Sequence, residues 1–139
     1  MKKILVVEDD AKIRAALTIR LKAAGYQVQT ALDGLQGLKS ALEDKPDLIL
    51  SDIWMPVGLG LSLAQRLDEL GLAGIPVIFI TAGKEPQLRL AAQDVGAAAF
   101  FQKPYDAEEL LRTIAETLAR GEAPSARIEG TETPKNLNS

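Results

Sequence analysis

Six side chains of this sequence belong to the types that handle a phosphate or a hard metal ion, and all lie at the ends of short apolar runs. Glu8, Asp9 and Asp10 follow "KILVV", Asp52 ends the run in "LILSD", Thr81 closes "VIFIT", and Lys103 comes just after "AAFF". A carboxylate at the end of a buried run is costly unless it is paired or ligated. Taken singly, each residue has an ordinary explanation: Asp9, Asp10 or Asp52 caps a helix, Thr81 ends a strand in a turn, and Lys103 is solvated. Their shared placement favours one joint site. Three carboxylates brought together repel by roughly 1–4 kcal/mol per pair, so a cation belongs among them. The chain has no His and no Cys, which disfavours zinc or copper and leaves Mg²⁺ as the expected ion, with Mn²⁺ as a substitute. A carboxylate beside that ion, with an ammonium and a hydroxyl nearby, can attack phosphorus and have the charge of its acyl phosphate neutralised as it forms. Asp52 is the candidate nucleophile.

Positioning these groups requires a scaffold, and the sequence alternates short apolar runs with longer amphipathic stretches five times. Strands are expected over "KILVV", "YQVQT", "DLILS", "PVIFIT" and "AAFF", of which the second is the weakest. Helices are expected over Ala11–Ala24, Leu35–Glu43, Leu61–Leu70, Gln87–Val95 and Asp106–Ala119, several of them stopped by a glycine. Ile13, Leu17, Leu21 and Ala24 form one expected apolar stripe, and Leu110, Leu111, Ile114 and Leu118 another. Strand-helix alternation with right-handed crossovers builds a parallel α/β sheet covered on both faces, and continuous runs such as "ILVV" and "VIFI" suit strands buried on both sides. Ligands of such sheets bind outside the carboxyl ends of the strands, where all six residues fall.

Composition sets outer limits. The 139 residues, 47% of them apolar, suffice for one domain with a real core. A formal charge of −3, with no Lys/Arg stripe along any helix, argues against direct nucleic-acid binding. The apolar run after the two N-terminal lysines is too short for a signal peptide or membrane span, so a cytoplasmic location with no membrane partner is expected.

"KILVVEDD", "PDLILSDIWMP", "VIFITA" and "FFQKPY", in this order and spacing, resemble a response-regulator receiver domain of two-component signalling. The resemblance spans about residues 2 to 119. It implies a flavodoxin-like, doubly wound five-stranded sheet of order 2-1-3-4-5 with five helices, a receiver domain over 1–120, and a polar tail or linker over 121–139. It further implies that Asp52 is the phosphoacceptor and that Glu8, Asp9, Asp52 and the main-chain carbonyl of Trp54 hold Mg²⁺. By the same resemblance Lys103 contacts the phosphoryl oxygens after a cis Lys103–Pro104 bond, and Thr81 and Phe100 form the switch. Asp10 is read as an N-terminal helix charge. The implied protein is a phosphoacceptor that assists its own phosphorylation and dephosphorylation rather than an enzyme. Its readout face comprises the fourth expected helix, the fifth strand and the fifth helix, with dimerisation on phosphorylation as one outcome. Because the chain has no His, the phosphoryl donor is another protein, a sensor histidine kinase or a phosphotransfer protein, docking on the first helix near Ile13, Arg14 and Leu17. The downstream partner is a protein that the sequence does not name.

One loop departs from the family. "MPVGLGLSL" has Gly58 and Leu59 where an acidic residue is expected just before Gly60. Two alternatives stand beside the main reading: a receiver-like interaction module not regulated by phosphate, and the N-terminal fragment of a longer regulator with an output domain. An aspartyl phosphatase is disfavoured because Trp54 occupies the position of its second acid, and a flavin carrier because three acids stand where a phosphate-cradling loop belongs.

Overall fold

In the computed structural model, the described residues form one sheet of five short parallel strands, so that all their carboxyl ends lie along one edge. Residues 1–52, 66–67, 69–72, 74–83, 86–94 and 96–120 are described. The strands are β1 (Lys3–Val7), β2 (Gln27–Ala31), β3 (Leu48–Asp52), β4 (Val77–Thr81) and β5 (Ala99–Gln102), and the described helices are α1 (Ala11–Ala23), α2 (Gly34–Asp44), α3 (Pro86–Asp94) and α4 (Ala107–Arg120). The sheet order is β2-β1-β3-β4-β5, the doubly wound flavodoxin-like arrangement. Of the third expected helix, 61–70, Arg66, Leu67 and Glu69 are helical, and 61–65 and 68 lie outside the described residues, as does the expected tail over 121–139.

Burial follows strand position. β3 and β4 are buried at all five residues, whereas the edge strand β2 is buried only at Ala31, which accounts for its weak apolar signature. Because strand side chains alternate faces, the core divides in two. Leu5, Val7, Ile49 and Phe79 pack against Ala41 of α2 and Leu88 and Ala92 of α3, with Leu67 on the same side. Ile4, Val6, Leu48, Leu50, Ile78 and Ile80 pack against Leu17 and Leu21 of α1 and Leu110, Ile114 and Leu118 of α4.

The helix ends are set locally. Asp10 is the N-cap of α1, its side chain accepting hydrogen bonds from the N–H groups of Lys12 at 2.8 Å and Ile13 at 3.1 Å; Asp33 caps α2 through the N–H of Gln36. Both satisfy donors that a helix start leaves open. One stripe assignment needs correction. Ala24 is exposed, because α1 ends at Ala23 and the chain turns through Ala24 into Gly25, whose φ is +97°. On α4 the buried positions are Leu110, Ile114, Thr117 and Leu118, and Leu111 is half-buried and packs against the same cluster, so the expected stripe holds and Thr117 joins it.

Lys45, the C-cap of α2, has φ +46° and is the one non-glycine residue with positive φ among the described residues. A Cβ in that region is unfavourable by about 1 kcal/mol. Lys45→Gly is expected to raise the unfolding free energy by somewhat under 1 kcal/mol, since glycine relieves the strain but loses more chain entropy on folding; urea titration of both proteins measures it.

Candidate functional site

Strand register builds the site before any side chain is considered. Val7 of β1 pairs with Ser51 of β3, so the next residues on the two strands, Glu8 and Asp52, emerge side by side at the carboxyl edge. Thr81 pairs with Gln102 across β4 and β5, and the N–H of Lys103 donates to the Thr81 carbonyl at 2.8 Å, which brings Lys103 to the same edge. The Lys103–Pro104 peptide that follows is cis.

Two of the carboxylates are almost out of water: Glu8 is 3% exposed and Asp52 7%, while Asp9 is exposed. Oxygens of Glu8, Asp9 and Asp52 lie within 4.8 Å of one another. The Lys103 ammonium sits between the two buried acids, 3.6 Å from Asp52 Oδ2 and 3.7 Å from Glu8 Oε1. Burial above all, with the negative charge of Asp52 and a hydrogen bond that the protonated Glu8 donates to Asp9, pushes the Glu8 carboxyl up to about 7 against the opposing effects of the Asp10 N–H and Lys103. Three hard anionic oxygen donors at this spacing, one of them penalised for carrying its charge, fit a divalent ion such as Mg²⁺ and fit no soft metal.

Around this centre stand the remaining expected residues. Thr81 is fully buried, and its Oγ1 accepts the N–H of Gly83 at 3.0 Å. The carbonyl of Gly83 accepts from Gln102 Nε2 at 2.8 Å, tying the loop after β4 to the end of β5. Phe100, two residues earlier on the same face of β5, is half-buried and packs against the cluster that includes Leu88 and Ala92. The Arg89 guanidinium lies over its ring, 4.8 Å from the centroid, within cation–π range. Trp54 and the loop over 55–63 lie outside the described residues.

On the other flank a cavity of about 300 Å³ opens beside Lys103, lined by Ile13, Leu17 and Arg20 of α1 and by Tyr105. Leu17, at 5% exposure, belongs to the core rather than to a surface. Tyr105 meets Phe101 edge-on at 6.0 Å; burial raises its phenol above the ordinary range. The stack of Arg89 on Phe100 and the Gln102 link to Gly83 were not legible in the sequence, because both join elements whose relative placement no local pattern specifies.

The family model for the response regulator receiver domain matches residues 4–115. Among curated proteins, the chain is 39% identical over 122 residues to the DNA-binding dual master transcriptional regulator RpaA of a Synechocystis species, covering 86% of this chain and 50% of RpaA. It is 35% identical over 133 residues to the alkaline phosphatase synthesis transcriptional regulatory protein PhoP of Bacillus subtilis, covering 94% of this chain and 55% of PhoP. The chain thus spans about half the length of these relatives. Among solved structures it resembles the chemotaxis protein CheY4 of Vibrio cholerae, with a TM-score of 0.77 at 32% identity over 84% of this chain and 98% of that one. A CheY-like receiver domain protein of Methanospirillum hungatei matches with a TM-score of 0.83 at 30% identity over 88% of this chain and 97% of that one.

The raised Glu8 carboxyl has a consequence for stability. Unfolded, Glu8 returns to its ordinary value near 4.5, so between about 4.5 and 7 the folded chain binds more protons than the unfolded one. Its contribution to stability is therefore lost as pH rises through that window. In metal-free buffer, Glu8→Gln is expected to remove this fall, seen as a difference in the pH dependence of unfolding midpoints between the two proteins.

Proposed function

The chain belongs to the response regulator receiver family, and from that premise we propose that Asp52 accepts a phosphoryl group from a phosphohistidine on a partner protein. The observation that carries this reading is the Lys103 ammonium poised within 4 Å of both buried carboxylates, 3.6 Å from Asp52 and 3.7 Å from Glu8. An Asp52 oxygen forms the new bond to phosphorus as the donor's nitrogen–phosphorus bond breaks, and the electron pair stays on the imidazole nitrogen, which takes a proton from solvent. Lys103 neutralises a phosphoryl oxygen, and the Thr81 hydroxyl turns its proton toward another. Glu8, Asp9 and Asp52 would hold Mg²⁺, which when bound supplies positive charge to the phosphoryl oxygens and fixes their orientation. A donor protein docks over α1, where Ile13 and Arg20 border the cavity beside Lys103.

The readout runs through β5. Recruiting Thr81 to the phosphoryl group perturbs the Gly83–Gln102 link, and the room left beside Thr81 admits the Phe100 ring, which has no hydroxyl to keep it in water. The surface of α3, β5 and α4 then changes and is read by a downstream protein or a second copy of this chain. The span of about half of relatives named as transcriptional regulators supports the related reading that this receiver governs an output segment of a longer regulator.

Incubation with Mg²⁺ and acetyl phosphate is expected to add the mass of one phosphoryl group to the wild type and none to Asp52→Asn. Lys103→Ala is expected to slow the reaction by about 100-fold. Trp54 fluorescence should respond to a beryllofluoride mimic only when Asp52 is intact. An unmodified wild-type mass and a silent Trp54 would leave a phosphate-independent interaction module.

Because the cation–π stack holds the Phe100 ring where it lies, Arg89→Met is expected to favour the inward ring. Beryllofluoride should then bind about two- to fivefold more tightly, as read from the same fluorescence titration.

A further inference from the structure

Arg14 lies one turn into α1 and is half-buried, and its side chain folds back across the helix start rather than out toward solvent. Arg14 Nη1 donates to the main-chain carbonyl of Glu8 at 2.8 Å and to that of Asp9 at 3.4 Å. One guanidinium nitrogen thus holds the backbone of both members of the acidic pair. The other restraints on this turn converge on the same peptide units: the Glu8 N–H donates to the Ala31 carbonyl of β2 at 3.0 Å, and the Glu8 carboxylate accepts the Asp10 N–H at 3.1 Å. The Asp10 side chain in turn caps α1. Arg14 thus addresses the carbonyls of Glu8 and Asp9, while the sheet and the Glu8 carboxylate address the N–H groups of Glu8 and Asp10.

We propose that Arg14 is a positioning residue for the metal site, fixing the Glu8–Asp9 main chain so that the two carboxylates are preset for a divalent ion. This rests on the reading of Glu8, Asp9 and Asp52 as Mg²⁺ ligands. The physical effect is preorganisation: a turn already held costs less ordering when the ion binds, and partners that orient metal ligands characteristically carry about 10- to 100-fold in metal affinity. Arg14 also brings a positive charge, which by Coulomb repulsion alone would weaken cation binding. The two effects have opposite signs, so substitution separates them. A lysine keeps the charge but lacks the planar fork, and a methionine keeps part of the apolar stem and loses the charge.

The test is calorimetric titration of the full chain with Mg²⁺ alone, for the wild type, Arg14→Lys and Arg14→Met, each well below its own unfolding midpoint in metal-free buffer. Both variants are expected to bind Mg²⁺ about tenfold more weakly than the wild type. Binding unchanged in Arg14→Lys and tighter in Arg14→Met would assign the residue a purely electrostatic effect and overturn the proposal. A lowered unfolding midpoint with unaltered affinity in both variants would make Arg14 merely structural and would overturn it equally. If Arg14→Met fails to fold, Arg14→Lys decides by its affinity alone. Wild-type protein that binds no Mg²⁺ would overturn the metal reading itself and this inference with it, an outcome distinct from wild-type binding that the variants leave intact.

Discussion

Two carboxylates at the ends of adjacent strands, both nearly removed from water, are the constraint around which this domain is arranged. Glu8 and Asp52 are 3% and 7% exposed, and nothing in a parallel sheet of apolar strands relieves that cost except what the edge brings to them. Lys103 relieves part of it from the far side of the site, and the Asp10 N–H relieves part from below. What remains shows as the displaced titration of Glu8, to about 7. A site that holds excess negative charge under strain is suited to capture cations and, beside them, a phosphoryl group.

The same edge connects that centre to the surface. Thr81 is buried at the end of β4 and coupled through Gly83 to Gln102. Phe100 lies on the same face of β5 beneath the Arg89 guanidinium. The buried Thr81 hydroxyl thus lies on the strand next to that of an aromatic ring whose cover comes from a helix, α3. Domains that switch need elements with two packings of similar energy. A half-buried ring stacked under a partly exposed arginine meets that need better than a ring locked in the core.

α1 serves the site twice. Its N-terminal turn, capped by Asp10, sends Arg14 back to the acidic pair, and its inner face, through Leu17 and Leu21, anchors the helix on the sheet. Its outer border, with Ile13 and Arg20, lines the cavity beside Lys103. The helix that carries Arg14 to the Glu8 and Asp9 carbonyls is therefore also the one that borders this cavity.

The alternation of five apolar runs with five amphipathic stretches was enough to read the class of fold and the edge where the polar groups gather, because strand burial and helix capping are recorded in adjacent residues. Asp10 as a helix-start charge, the weak edge strand and the apolar centre of the sheet were all legible on that basis. A misreading fell where a helix ends, as Ala24 leaves its stripe because the chain turns at Gly25, and a polar residue escaped notice, as Thr117 joins the inner face of α4 beside Leu110, Leu111, Ile114 and Leu118. Residue types and order determined that Glu8, Asp9, Asp52, Thr81 and Lys103 belong together. Only the register of β1 on β3 and of β4 on β5 decided that Lys103 lies between two acids, and only the packing of α3 on the sheet decided that Arg89 covers Phe100. Contacts between distant segments depend on how the elements pack, and no local pattern records that geometry.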